Sequence, residues 1–284
     1  MSVLPLRIGA CNLFWLSGGD FRLDGGAMFG PVPKSLWQKR VQPDSENTIL
    51  LCNDPLLIQT PRHTILVDTG LGNKLTSKEA FIFKVTRPWS LLSGLASLGF
   101  TRQDVDVVIL THCDFDHAGG VVMMNERGQQ ELTFPAAIHL IQKSEWEDVN
   151  VPGPRGSESY WPINFNKLNE SGRIRLVDGD HQVCQEVRVC HTGGHTRGHQ
   201  LVEIVSGGET AVHPGDLFPT HAHANPLWVM AYDNFPLDVI AQKERCLAEY
   251  GQREAWFTLY HDPLVKACKF GAQGQLVARW PPLP

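Results

Sequence analysis

Short runs of β-branched and apolar residues recur along the chain, interrupted by stretches whose apolar positions fall at helical spacing. Leu6–Ile8, Thr48–Cys52 and the segments 56–60 and 64–68 read as strands, with Pro61-Arg62-His63 as a hairpin turn between the last two. Helical spacing follows over 89–98, and Gly99 stands where a C-terminal cap belongs. The run 104–110, with Val105, Val107, Val108, Ile109 and Leu110, predicts a buried strand. Ile138–Gln142 predicts another, and Ser144-Glu145-Trp146-Glu147 after it has the Ser-x-x-Glu form of a capping box, so a short helix is expected to begin there. The second half repeats the theme with strands over 173–177, 187–190, 201–205 and 210–213, and a turn at Ser206-Gly207-Gly208. The clearest helix covers 236–250. It carries Val239, Ile240, Leu247 and Tyr250 on one stripe, and Gly251 is expected to stop it.

Strands grouped before helices, and then the same order again, predict two sheets packed face to face with helices outside them. No repeat, low-complexity tract or linker divides the 284 residues, so a single domain over 1–284 is expected.

Composition narrows the partners more than the fold. The formal charge of −5 and the lack of a Lys/Arg-rich run argue against nucleic acid. No stretch approaches the ~20 consecutive apolar residues of a spanning helix, which argues against a membrane. The segment Met1-Ser2-Val3-Leu4-Pro5-Leu6-Arg7 has neither the basic nor the apolar region of a signal peptide. The seven cysteines are odd in number and form no Cys-x-x-Cys pair, which fits reduced thiols, so a cytoplasmic protein is expected.

Chemistry concentrates in His112-Cys113-Asp114-Phe115-Asp116-His117, at the end of the strand over 104–110. If the chain stays extended, alternation puts His112 and Asp114 on one side and turns Cys113 away into a packing role. Ala118-Gly119-Gly120 offers the backbone freedom for a tight turn, from which Asp116 and His117 would reach a neighbouring position. Imidazoles and carboxylates together suit zinc, iron, manganese or cobalt at a catalytic site; a structural zinc of the finger type would need thiolates. Three later segments place a His or Asp after a strand-like run: Thr192-Gly193-Gly194-His195-Thr196-Arg197-Gly198-His199, His213-Pro214-Gly215-Asp216 and Leu259-Tyr260-His261-Asp262.

The order His-x-x-x-Asp-His, Gly-His, Gly-Asp and a late His resembles the ligand signature of the metallo-β-lactamase superfamily, from about Val67-Asp68-Thr69-Gly70 to His261. Within it, Gly194-His195-Thr196-Arg197-Gly198-His199 is similar to the Gly-His-Thr-x-Gly-His segment of the lactonase-like branch, which includes quorum-quenching acyl-homoserine lactonases. Residues 23–30 and Val32-Pro33-Lys34 are similar to the access loop of one of its subgroups, so such a loop is expected around 11–46. The resemblance implies an α+β fold, a four-layer αβ/βα sandwich of two mixed β-sheets flanked by helices. It implies two divalent metal ions, with zinc first and iron or manganese as alternatives. His112, Asp114 and His195 would hold the first, Asp116, His117 and His261 the second, and Asp216 would bridge them. Asp68 would orient an imidazole from behind or, equally, cap a turn.

The implied activity is a metal-dependent hydrolase in which a metal-bridging hydroxide cleaves an ester or lactone, with Asp116 and Asp216 as catalytic groups that orient it and take its proton. The partner would be a small-molecule substrate, and the resemblance also allows for a homodimer. One position departs from the family: Asp114 replaces the middle His of His-x-His-x-Asp-His. A carboxylate there hardens the site toward iron or manganese and should raise the pKa of bound water. That departure keeps open a di-iron oxidoreductase or oxygenase, and a non-catalytic ligand-binding member; a phosphoester hydrolase is a further alternative. The lactonases also place a Tyr shortly after the bridging Asp, whereas Leu217-Phe218-Pro219-Thr220 follows Asp216 here.

The remaining candidates have ordinary readings. His221 and His223 would either touch substrate from a loop bordering the site or, as expected, stand on a solvated loop, and His199 is expected to fix its own loop by hydrogen bonds. His63, His139, His181, His191 and His213 have no identifiable partner. Phe14, Trp15, Met28, Phe29, Trp37 and Trp228 would either wall a substrate pocket or fill a core.

Overall fold

The computed structural model describes residues 4–271 and 273–281; residues 1–3, on which part of the leader reading rests, lie outside them, as do 272 and 282–284. Two seven-stranded sheets form the centre of the fold. The first runs in the order Leu6–Ile8, Cys11–Trp15, Leu56–Gln59, Thr64–Val67, Val107–Ile109, Ile138–Gln142 and Ile174–Val177. Its first four strands are antiparallel neighbours and its last four pair in parallel, so the sheet is mixed. The second is His181–Gln182, Val187–His191, Gln200–Ser206, Glu209–His213, Trp256–Thr258, Ala267–Phe270 and Leu276–Trp280, antiparallel except where Glu209–His213 meets Trp256–Thr258.

Period-two alternation explains the layering. Ile58, Ile65, Val67 and Ile109 point inward and pack against Val189, Val202, Ile204 and Ala211 of the second sheet. Their neighbours Leu57, Leu66 and Val108 point the other way, onto the helices Leu91–Ser97, Lys143–Asn150 and Asn166–Ser171 through Leu91, Leu95, Trp146 and Leu168. With both faces covered, these strands read as continuous apolar runs. The long helix Pro236–Gln252 covers the second sheet with Val239, Cys246, Leu247 and Tyr250. The result is the expected order of helix, sheet, sheet and helix, the metallo-β-lactamase fold.

Several local expectations change. Lys143–Asn150 begins at Gln142 without a side-chain cap, so Ser144 lies inside the helix and the expected capping box does not form. A capping box does form at Thr76 and Glu79, which opens Ser77–Ile82. Gly251 does not stop the last helix, which runs through it to Gln252. Gly99 meets expectation, adopting φ +83° just after the C-cap Leu98. Residues expected in an access loop around 11–46 include two strands, Cys11–Trp15 and Asp20–Asp24, because the latter pairs with Thr48–Cys52. From Gly25 the segment continues in two short helices, Gly25–Phe29 and Lys34–Trp37. All seven cysteines are free thiols, and no helix among the described residues is long and apolar enough to cross a membrane.

Parallel pairing determines where the chemistry gathers. Val67 and Ile109 are in register, so Thr64–Val67 and Val107–Ile109 end together and deliver Asp68 and the 112–117 segment to one edge. Val212 pairs with Phe257 in the same sense, which brings the chain after Glu209–His213 and after Trp256–Thr258, with Asp216 and His261, to the edge of the other sheet.

Candidate metal centre

After Val107–Ile109 the chain bends at Thr111, runs irregularly through Asp114 and then forms the single helical turn Phe115–Ala118. His112 and Asp114 share a side, with His112 Nε2 3.6 Å from Asp114 Oδ2, while Cys113 is buried in the core on the other. Asp116 and His117 come from that helical turn, so the expected loop is corrected. The role expected of the glycines changes too. Gly119 is right-handed helical, and its need is for space: a Cβ would lie 2.3 Å from Leu71 O, and one on Gly120 would lie 2.3 Å from Thr69 O. Lys74 donates its ammonium to the carbonyls of Gly119 and Val122, and burial pushes its pKa down to about 8.

The later segments arrive as the sequence suggests. Gly194, at φ +88°, presents His195, and Gly215, at φ +52°, presents Asp216 in the 3-10 turn Gly215–Leu217. His261 follows Trp256–Thr258. The structure gathers all seven predicted residues, in three overlapping groups whose candidate donor atoms lie within 4.8 Å of one another: His112, Asp114 and His195; Asp116, His117 and His261; and His112, His117 and Asp216. Asp216 spans the set. Its Oδ1 lies 3.3 Å from His117 Nε2 and 3.2 Å from His261 Nε2, and its Oδ2 3.6 Å from His195 Nε2.

Every imidazole of the set is held from behind by its Nδ1. His117 meets Asp68 Oδ2 at 2.9 Å, His195 meets Asp233 Oδ1 at 2.8 Å, His261 meets Cys52 O at 3.0 Å, and His112 meets Thr111 Oγ1 at 3.0 Å. The four Nε2 atoms therefore face inward. Those of His112 and His195 are buried with no hydrogen-bond partner, as is Asp216 Oδ1, and those of His117 and His261 face each other at 3.1 Å. Unpaired buried acceptors are costly, and converging lone pairs repel. Such an arrangement fits one or more cations between the rings, with the outer carboxylates orienting and enriching the imidazoles.

Electrostatics agree. Burial opposes ionisation of Asp114, but the His112 and His195 imidazoles, with Nε2 3.6 and 3.4 Å from its Oδ2, override it and hold the carboxyl well below the usual range. Burial likewise opposes charge on Asp216, yet His261 and His117 hold it well below as well. Against the opposing effect of burial, Asp216, Asp116 and Asp68 raise His117, while Asp114 and Asp233 raise His195. The site thus favours positive charge at its centre.

A cavity of about 340 Å³ opens over the set. Asp114, Asp116, His195, Asp216 and His261 form its floor, and Leu23, Met28, Leu51, Phe83, Phe115 and Met230 form an apolar wall. Of the six aromatic and Met candidates, Met28 reaches the cavity. Phe29, Trp37 and Trp228 back it in one cluster, whereas Phe14 and Trp15 pack against the main cores.

Other histidines depart from expectation. His223 is fully buried, stacks on Phe29 at 4.5 Å, and places Nε2 2.9 Å from Met28 O. His221 pairs with the buried Asp262. The expected solvated loop is not formed: the access segment holds His223 through Met28, and Asp262 holds His221, which stays partly exposed. His213, expected without a partner, meets Thr258 Oγ1 at 2.8 Å and lies 3.9 Å from Asp68. His199 does fix its loop, meeting Thr192 Oγ1 at 2.6 Å, and it also accepts the backbone N–H of Asp216 at 3.2 Å.

Three polar residues of the site escaped the sequence reading. Asp233 and Glu145 stand behind the histidine segments, and Tyr232 lines the cavity. None lies in a ligand motif, and each is placed by tertiary contact alone.

Comparison with known proteins agrees with this geometry. Residues 54–248 match the family described as the metallo-beta-lactamase superfamily. A Bacillus N-acyl homoserine lactonase is 27% identical over 164 residues, 54% of this chain; the matched part spans only 58% of that relative's length. The crystal structure of a probable metal-dependent hydrolase from Staphylococcus aureus is 38% identical and superposes with a TM-score of 0.91 over 96% of this chain and 98% of that one. AidC, a dizinc quorum-quenching lactonase, shares the fold with a TM-score of 0.79 at 21% identity, over 99% and 97% of the two chains.

Proposed function

Since this chain belongs to the metallo-β-lactamase superfamily, we propose that it is a metal-dependent hydrolase of esters or lactones, acting as one domain on a small-molecule substrate. The observation that carries the reading is the convergence of four inward-facing Nε2 atoms and three carboxylates beneath an apolar cavity. In this reading His112, Asp114 and His195 would hold one divalent ion, Asp116, His117 and His261 a second, and Asp216 would serve both. When bound, the two ions would supply Lewis acidity, which lowers the pKa of water and polarises a carbonyl.

The protein's own groups do the rest. Asp116, with a side chain 12% exposed and lining the cavity, would orient a water and take its proton, and Asp216 would share that task. Tyr232 offers a hydroxyl donor to the oxygen on which charge develops. Burial, with Asp24 and Asp116 nearby, pushes its phenol up to about 12, so it stays protonated at neutral pH. The apolar wall excludes water around the acyl part of the substrate and strengthens these interactions.

Asp114 favours a second reading of the metal. An anion in place of imidazole suits iron or manganese better than zinc, and with iron the same site could run redox chemistry. Metal analysis of the purified protein, combined with a panel of lactones, esters and phosphodiesters, separates these readings. Cleavage that a chelator abolishes and added metal restores supports the hydrolase. No turnover with any metal sinks it, and a coloured, oxygen-sensitive iron site favours the oxidoreductase.

A further inference from the structure

Glu145, in Lys143–Asn150, is a buried carboxylate outside every ligand motif, only 1% exposed, and it is held by four donors from three segments. Its Oε1 accepts from Cys113 N at 2.8 Å and from Tyr160 Oη at 3.1 Å. Its Oε2 accepts from Thr196 Oγ1 at 2.7 Å and from Gly198 N at 3.2 Å. Cys113 N lies on the chain between His112 and Asp114, and Thr196 follows His195. The loop after His195 presses against the helix so closely that a Cβ on Gly198 would lie 2.3 Å from Glu145 N. Burying a carboxylate is costly unless its oxygens are satisfied, and charge-assisted bonds to fixed donors give this one a single geometry.

The second group of residues has other support. His117 rests on Asp68, His261 on Cys52 O, and the backbone of Asp116 receives Tyr260 Oη at 2.8 Å. Glu145 touches none of these. Asp68 also accepts from Thr111 N and Oγ1, and Thr111 holds His112, so the two halves share Asp68, whereas Glu145 bonds only to the segments of the first.

We propose that Glu145 is a positioning residue for one half of the site, holding the His112–Asp114 segment and the His195 loop in register so that this half binds its cation. The inference rests on the metal reading given above. Glu145→Gln keeps the volume but turns one oxygen into an NH₂ facing two donors. A hydroxyl can rotate to accept from it; a backbone N–H cannot, so either Cys113 N or Gly198 N loses its partner.

The test is a cobalt(II) titration of metal-free protein, followed by visible absorption. The wild type should take up two equivalents. In Glu145→Gln one equivalent should keep its affinity and the other weaken by about 10- to 100-fold, as loss of a supporting hydrogen bond to a ligand does. Thr196→Val, which removes only the hydroxyl donor, should weaken the same equivalent by less and covers the case in which the Gln variant does not fold. Tyr260→Phe, which removes the donor to the Asp116 carbonyl, should weaken the opposite equivalent. Equal weakening of both equivalents in Glu145→Gln and Thr196→Val, or unchanged titrations, overturns the proposal. A wild type that takes up no cobalt sinks it together with the metal reading, whereas two equivalents bound alike by wild type and both variants sink it alone.

Discussion

Asp233 Oδ1 lies 2.8 Å from His195 Nδ1, and the carboxylate is tied down by Met230 N on its other oxygen. The contact joins the loop between Glu209–His213 and the helix Pro236–Gln252 to the Gly-His segment 38 residues earlier in the chain. It fixes which ring nitrogen of His195 faces the cavity. Asp233→Asn should leave the fold intact and reduce metal affinity by about 10- to 100-fold, read by competition with a chromophoric chelator.

Asp114 sets metal preference. Asp114→His restores an imidazole and removes one negative charge from the site, so zinc should gain relative to manganese or iron. Competitive loading of the two proteins from one mixture of the metals, followed by elemental analysis, measures the change. An unchanged ratio would show that Asp114 does not govern the choice.

Tyr232 is predicted to act on the transition state. Tyr232→Phe keeps the ring in the wall and removes the hydroxyl, so kcat should fall by about tenfold or more with metal content and melting temperature unaltered. A change confined to KM would reassign the residue to substrate binding.

Gly120 admits no side chain. A Cβ there meets the carbonyl oxygen of Thr69 at 2.3 Å, backbone against backbone, and the turn that bears Asp116 and His117 would have to shift. Gly120→Ala should cost about 1–3 kcal/mol in denaturant unfolding and lower metal occupancy with it.

Acid should destabilise the protein through histidines buried in neutral form. Burial depresses His139 and His213 to about 4, and burial together with Lys243 depresses His223 to about 3. Unfolded, each returns to about 6.5, so below that pH the unfolded chain binds more protons than the folded one. The stability is intact above about pH 6.5 and is lost as pH falls toward the folded values. His139 is remote from the metal site and its ring nitrogens are unpartnered, so His139→Leu isolates the effect. The drop in denaturation midpoint between pH 7 and pH 4.5 should be smaller in the variant than in the wild type.

The amino-acid sequence by itself determined many of the strands and the long helix, and its family resemblance supplied the four-layer architecture and the seven residues that converge. These properties are local or ordered along the chain. Continuous apolar runs mark strands buried on both faces, and glycines at positive φ beside His195 and Asp216 turn the chain where a strand ends. The tertiary structure alone decided what stands behind those residues. Asp233, Glu145 and the pairing of His221 with Asp262 depend on segments that folding brings together, and nothing in their own neighbourhoods marks them. It also decided the burial of His223, which looked like a loop residue because the Phe29 ring that covers it comes from the far end of the chain. Gly119 and Gly120 show the same division: the sequence showed that they are glycines, and the backbone of Leu71 and Thr69 pressing against them supplies the reason.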